Sequence, residues 1–292
     1  MLIECVPNFS EGRRRDVVDS LQAAASLPGV KFLDVETDAD HNRCVLTFVG
    51  GPDALAEAAF AAAAAAVERI DLNAHRGQHP RMGAVDVIPF VPLRGATMGD
   101  AVAVAKRVGE RLGRELELPV YLYESAAARP DRRNLAEIRK PQFEGLRDLI
   151  GRDPERVPDF GPNRIHPTAG CVAVGARPPL IAYNVDLETE DVAVAKAIAK
   201  KIRERDGGLP GIKALGLSIA ARKCAQVSMN VCDFRKTGLR EAFRAVEAEA
   251  RALGAAVRSS EIVGLVPQEA LPPETEIRLA GFTREQIIEN RL

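Results

Sequence analysis

The chain carries four histidines, His41, His75, His79 and His166, and each falls in a segment that reads as loop. Loop residues carry function more often than element interiors do. His75 and His79 are four residues apart, the spacing of a metal-binding helix face. Gly77 and Pro80 flank His79, however, and proline inside an established helix removes a hydrogen bond and clashes with the preceding turn. The glutamate of an H-E-x-x-H site is absent, so no metal is expected. His79 fits proton transfer better, because an imidazole titrating near pH 6.5 both takes and gives a proton at neutral pH. Taken alone, a loop histidine is more often an exposed or hydrogen-bonded bystander, because only geometry establishes such a role. Thr37 to Arg43, TDADHNR, is a polar turn. It reads either as a solvated hairpin loop or as a substrate grip, with Asn42 donating and accepting and Arg43 binding a carboxylate at two points. Arg81 and Arg164 are further cations for anionic groups.

Several function classes lose support. No G-x-G-x-x-G, G-x-x-x-x-G-K-[ST] or G-x-S-x-G motif occurs, so nicotinamide, P-loop and hydrolase-elbow readings lack their usual basis. Net charge is −1 over 292 residues, and no basic, aromatic-rich stretch offers a platform for nucleic acid. The longest apolar run, Ala54 to Val67, contains Glu57 and is too short to span a bilayer. Five cysteines without C-x-x-C spacing, and a start unlike a signal peptide, predict reduced thiols in a soluble cytoplasmic protein.

The elements that must position these residues follow from periodicity. Leu2 to Pro7 predicts a strand, Glu11 to Ala25 a helix capped by Ser10, Val30 to Val35 and Arg43 to Val49 two strands, Asp53 to Arg69 a helix, and Ala84 to Phe90 a strand. The order is β-α-β-β-α-β. It returns as Leu180 to Val185, Glu190 to Arg205, Ile212 to Ala220, Ala225 to Val231, Gly238 to Leu253 and Ala256 to Ile262. The expected fold is α/β (α+β): two ferredoxin-like subdomains, residues 1–178 and 179–292, with antiparallel sheets facing across a groove. Between them come a helix over Gly99 to Glu115, a strand over Leu118 to Tyr123, helical turns over 125–150, and a loop over Pro154 to Ala169 that reads as the hinge. Glu274 to Leu292 reads as helical.

Three segments carry a resemblance: Glu4 to Gly12 (ECVPNFSEG), Gly77 to Ala84 (GQHPRMGA) and Pro158 to Pro162 (PDFGP). Asn42-Arg43, Pro119 to Tyr123, Gln226 to Ser228 and Val263 to Pro267 add to it in collinear order. Together they resemble the glutamate formimidoyltransferase family, the transferase part of vertebrate formimidoyltransferase-cyclodeaminase. The resemblance implies two ferredoxin-like subdomains with tetrahydrofolate, a co-substrate, in the groove between them. It implies transfer of a formimino group from N-formimino-L-glutamate to tetrahydrofolate, with His79 as the catalytic residue. Its folate loop maps onto Gly161, Pro162, Asn163, Arg164, Ile165, His166, Pro167, Thr168, Ala169 and Gly170. Both substrates carry carboxylates, which gives Arg43, Arg81 and Arg164 a role. Glu36 and Asp38 could orient an imidazole or hold the cationic formimino group.

Vertebrate members carry tryptophan where this chain has Ala169, and the chain has no tryptophan; the loop resembles the bacterial stand-alone form. A separate cyclodeaminase is then expected downstream, in one-carbon metabolism fed by histidine degradation. A homodimer is the default assembly. Three other readings stay open: formyl transfer between 5-formyltetrahydrofolate and glutamate, a metal-dependent formiminoglutamate hydrolase, and a non-catalytic folate-binding protein.

Overall fold

The computed structural model describes residues 1–77 and 80–292; Gln78 and His79 lie outside the described residues. The chain divides into two compact units, Met1–Arg177 and Pro178–Leu292.

The first unit begins with one strand broken by Val6-Pro7 into β1 (Ile3–Cys5) and β2 (Asn8–Phe9), both lying between β4 (Arg43–Gly50) and β5 (Val85–Pro92). Proline cannot donate to a ladder, which accounts for the break. β3 (Val30–Asp38) pairs antiparallel with β4. Helices α1 (Arg15–Ala25) and α2 (Pro52–Arg69) complete the β-α-β-β-α-β module. Its strand sequence is second, third, first, fourth, which is ferredoxin-like. α1 is shorter than its periodicity suggests, and Ser10 does not cap it: the hydroxyl donates to Gly83 O at 2.7 Å. Glu11 instead accepts the Arg13 and Arg14 N–H groups at 2.8 and 2.9 Å.

The sheet then extends. α3 (Met98–Glu115), started by a Thr97–Asp100 capping box, leads to β6 (Val120–Glu124), and β7 (Val172–Ala176) inserts between β5 and β6, parallel to both. The first sheet is therefore seven-stranded and mixed, not a four-stranded antiparallel one. Side chains alternate across it. Ile88, Phe90, Val120, Leu122, Val172 and Val174 pack under α1, α2 and α3. Val87, Tyr121, Tyr123, Cys171 and Ala173 point the other way and meet Ile138 of α4 (Leu135–Arg139) and Leu146 of α5 (Gln142–Leu149). The second face of this half of the sheet is thus covered by the unit's own 125–169 stretch. The 154–169 loop, read from sequence as the hinge, belongs to the first unit: Val120 N donates to Phe160 O at 2.9 Å and Leu122 N to Asp159 Oδ2 at 2.7 Å.

The second unit runs β8 (Ile181–Leu187), α6 (Val192–Ile202), β9 (Ile212–Ile219), β10 (Cys224–Val231), α7 (Leu239–Ala252) and β11 (Val257–Val263). Its antiparallel order, β11-β8-β10-β9, is again fourth, first, third, second. Tyr183, Val185, Val227 and Met229 form its core against Ile198 and Phe243. The tail is not the helix its composition suggests. It forms short 3₁₀ turns at Glu274–Glu276, Arg284–Gln286 and Ile288–Arg291, and runs beside the β11 edge, with Ser260 N bonded to Arg278 O and Val266 N to Gln286 O. An uncovered strand edge offers unpaired backbone groups, and pairing with it outcompetes an isolated helical turn.

Candidate active site

Three segments distant in sequence are bonded together around residues 72–84. On the approach from α2, Leu72 N donates to Thr168 O at 2.9 Å and Asn73 Nδ2 to Pro167 O at 3.0 Å. On the exit into β5, Ala84 N donates to Ala169 O at 2.8 Å and Cys171 N to Met82 O at 2.9 Å. The 166–170 turn is closed on itself by paired His166 and Gly170 backbone bonds, and His166 Nδ1 accepts from Ala169 N at 3.0 Å. Burial holds this imidazole below its ordinary pKa. The same turn therefore clamps both flanks of the segment that holds residues 78 and 79. Two glycines allow the close approach. A Cβ on Gly77 would lie 2.2 Å from His41 O, and one on Gly83 2.0 Å from Cys171 O.

Asn42 fastens the 38–43 turn to this assembly. Its backbone is left-handed, φ +50°, a conformation asparagine tolerates better than most residues. Gly12 N donates to its Oδ1 at 2.9 Å, and its Nδ2 donates to Arg76 O at 3.1 Å. His75 is buried, with Nε2 2.9 Å from Asn42 O and Nδ1 3.2 Å from Arg81 Nε. A carbonyl on one side and a guanidinium N–H on the other select the neutral Nε2–H tautomer. Burial, with Arg81 adding to it, lowers the His75 pKa. Both ring nitrogens have protein partners. Arg81 is buried too and forks onto Glu144 of α5 at 2.8 and 2.7 Å; that contact holds the Glu144 carboxyl below its usual range.

A third anchor lies beneath. Asp86 is 3% exposed on β5. Its Oδ1 accepts from Met82 N at 2.8 Å and its Oδ2 from Arg139 Nη2 of α4 at 2.6 Å. Arg43 lies in the same field. Burial pushes its guanidinium down to about 10, Asp86 opposing and Arg139 adding. A narrow cleft is lined by Phe9, Ser10, His41, Asn42, Arg43, His75, Arg81 and Asp86. His41 at its mouth bonds Asp38, Nδ1 to Oδ2 at 2.7 Å, and these contacts, the His41 N–H first, lower the Asp38 pKa. A larger cavity of about 450 Å³ lies beside it, between residues 72–77 and α5.

Profiles of the two parts of one enzyme fold match nearly the whole chain: "Formiminotransferase domain, N-terminal subdomain" over residues 2–177 and "Formiminotransferase domain" over residues 182–279. The chain belongs to the formiminotransferase family. It is 47% identical over 295 residues to the glutamate formimidoyltransferase of Streptococcus pyogenes, covering 100% of this chain and 98% of that one. It is 47% identical over 296 residues to the glutamate formimidoyltransferase of Thermoplasma acidophilum, covering 100% and 97%. Against the formimidoyltransferase-cyclodeaminase of Rattus norvegicus it is 43% identical over 276 residues, which are 92% of this chain and 51% of that one.

Within this formiminotransferase, the residues singled out by sequence separate into groups. Asn42, Arg43 and Arg81 share the narrow cleft. His79, assigned the catalytic role, lies outside the described residues; Gly77 and Arg81, on either side of it in the chain, line the larger cavity. The 161–170 stretch packs against two parts of the first unit. His166 to Gly170 clamps the 72–84 segment, whereas Gly161 lies against Gly113 of α3 and Arg164 pairs with Glu117 at 2.9 Å. Glu36, opposite Val45 on β3, is exposed; desolvation and then Asp34 raise its pKa, Arg43 opposing. Among the described residues no group of three or more potential ligands gathers as a metal site. Sequence reasoning missed Asp86, Arg139 and Glu144. A lone carboxylate inside the apolar run Ala84 to Pro92 was a usable signal for Asp86, because unpaired buried charge is costly. Arg139 and Glu144 sit among many similar residues and are distinguished only by tertiary contacts.

Proposed function

We propose that the chain transfers the formimino group of N-formimino-L-glutamate to tetrahydrofolate, giving 5-formiminotetrahydrofolate and L-glutamate. The observation that carries this reading is the bonding of residues 10–12, Asn42, 72–77, 80–84 and 166–170 into one assembly, the stretches that flank Gln78 and His79 in the chain. Family membership supplies the reaction class, and the full-length relatives named glutamate formimidoyltransferase supply the donor.

In this reading N5 of tetrahydrofolate attacks the formimino carbon and loses its proton. His79 accepts that proton and returns it to the glutamate nitrogen as the carbon–nitrogen bond to glutamate breaks. One bond forms, one breaks, and the proton passes from the attacking to the leaving nitrogen. Arg43, Arg81 and Arg164 supply positive potential for the anionic substrates. Asn42 positions the turn. Residues 161–170 contact the folate, and Glu36 and Asp38 serve the cationic formimino group. We place the protein in the cytoplasm as a homodimer. Four of its five thiols are buried and free, in keeping with a reducing compartment.

The test is an assay of purified protein with tetrahydrofolate and formiminoglutamate, following the acid-labile 5-formimino product, beside a His79→Ala variant. Turnover is expected in the first and a loss of about 10²–10⁴ in the second, the usual contribution of a general acid–base. Turnover only with 5-formyltetrahydrofolate and glutamate would replace the donor. Equal turnover by His79→Ala would remove His79 from the mechanism.

A further inference from the structure

The cavity of about 450 Å³ between residues 72–77 and α5 has an unbalanced charged lining. Three guanidiniums, those of Arg76, Arg81 and Arg147, line it against one carboxylate, Glu144. That carboxylate is already bound at two points by Arg81. Arg76 is held through one nitrogen: Nη1 donates to Asn73 O at 3.0 Å and to His75 O at 2.7 Å. Its fork is thereby fixed in direction by carbonyls that do not neutralise it. Arg147 sits 5.8 Å from the Phe143 ring centroid and shares the field of Glu144 with Arg81, so two guanidiniums draw on one carboxylate. Among the described residues neither Arg76 nor Arg147 forms an ion pair. Cations gathered in one concavity attract anionic oxygens, and Arg76, already oriented, loses little entropy on binding them. Arg76 and Arg147 come from different elements, the 72–77 segment and α5, which suits two carboxylates on one short linker better than a single compact anion. The volume falls in the range of small-molecule sites.

We propose that this cavity binds a glutamyl group, its two carboxylates taken by Arg76 and Arg147. The proposal rests on the formimino-transfer reading, in which both substrates carry such a group. Gly77 and Arg81, which flank residues 78–80 in the chain, line the cavity. Two sources share the chemistry: the formiminoglutamate donor and the glutamyl tail of the folate.

The experiment compares steady-state kinetics of the wild type with Arg76→Gln, Arg147→Gln and, as a control for surface charge, Arg152→Gln. The substrates are formiminoglutamate and tetrahydrofolate in its mono- and triglutamyl forms. Loss of a charge-assisted hydrogen bond predicts a rise of about 10- to 100-fold in one KM for Arg76→Gln and Arg147→Gln, with kcat nearly unchanged and Arg152→Gln like the wild type. A rise confined to formiminoglutamate assigns the cavity to the donor; a rise confined to folate, larger for the triglutamyl form, assigns it to the tail. No rise in either KM overturns the proposal. L-glutamate is also titrated calorimetrically into each protein, with and without tetrahydrofolate. If the wild type does not turn over formiminoglutamate, the functional reading fails, and this titration still decides the cavity. Binding to the wild type that is lost in both variants upholds it; absent binding, or equal binding in all four proteins, overturns it.

Discussion

Arg81 Nε donates to His75 Nδ1 at 3.2 Å while the other two nitrogens of the same guanidinium fork onto Glu144. The guanidinium against one ring nitrogen disfavours the charged imidazole, while the Asn42 carbonyl facing the other opposes that effect. Burial, the larger cause, also keeps its pKa below the ordinary 6.5. The unfolded chain then takes up the His75 proton first as pH falls. The resulting stabilisation is fully present above pH 6.5 and is lost as pH drops through the folded pKa. Urea unfolding of the wild type is expected to shift to lower midpoints between pH 7 and pH 5, and His75→Gln, which cannot titrate, to show a flatter dependence. His75→Ala removes the acceptor of a buried guanidinium and is expected to cost about 1–3 kcal/mol at pH 8. Parallel pH profiles for wild type and His75→Gln would show that the imidazole does not titrate differently on folding.

Asp86 supports a different load. Its carboxylate holds the Met82 N–H with one oxygen and Arg139 with the other, and it offsets the buried charge of Arg43. Asp86→Asn keeps the size but leaves two cations facing each other without an anion. Breaking a buried pair from one side costs about 3–5 kcal/mol. Unfolding of the first unit should lose an amount of that order. The double variant Asp86→Asn/Arg139→Gln should lose less than the sum of the single ones, because the second substitution removes one of the stranded charges. Additive losses would show that Asp86 and Arg139 are not coupled.

Both β-α-β-β-α-β modules are legible in the sequence because their strands and helices announce themselves locally: the β-branched runs at Val30 and Arg43, the alanine-rich helix after Gly51-Pro52, the break at Gly207-Gly208. β7 is not legible in the same way. Cys171 to Ala176 is a short run of small apolar residues, and a strand buried on both faces shows no alternation. The mixed seven-stranded sheet follows from that one insertion. Ser10 looks like a helix cap by type and position, yet its hydroxyl is claimed by Gly83, a partner 73 residues away. Site residues divide along the same line. Asn42, Arg43 and Arg81 stand out by motif, whereas Arg139 and Glu144 acquire meaning only when α4 and α5 fold back over β5 and β7.

Gly83 tests whether the clamp on the GQHPRMG segment matters for activity. Its Cα lies so close to the 170–172 backbone that a Cβ would be 2.0 Å from Cys171 O and 2.5 Å from Val85 O. Both obstacles are backbone, so neither can swing aside as a side chain could. Relief from Cys171 O requires the 82–84 segment to separate from the 169–171 strand entry, which breaks the Cys171 N to Met82 O and Ala84 N to Ala169 O bonds, and relief from Val85 O requires the 83–85 backbone itself to turn. Two lost backbone bonds with partly buried partners predict a cost of about 2–5 kcal/mol for Gly83→Ala. Separation would also release one flank of residues 78–79 from the 166–170 turn, so kcat should fall more than the loss of folded protein explains. The decisive measurement is turnover per folded molecule, with the folded fraction taken from circular dichroism at the assay temperature. A Gly83→Ala protein that is fully folded with wild-type turnover would mean that the clamp is not what holds the segment in its working position.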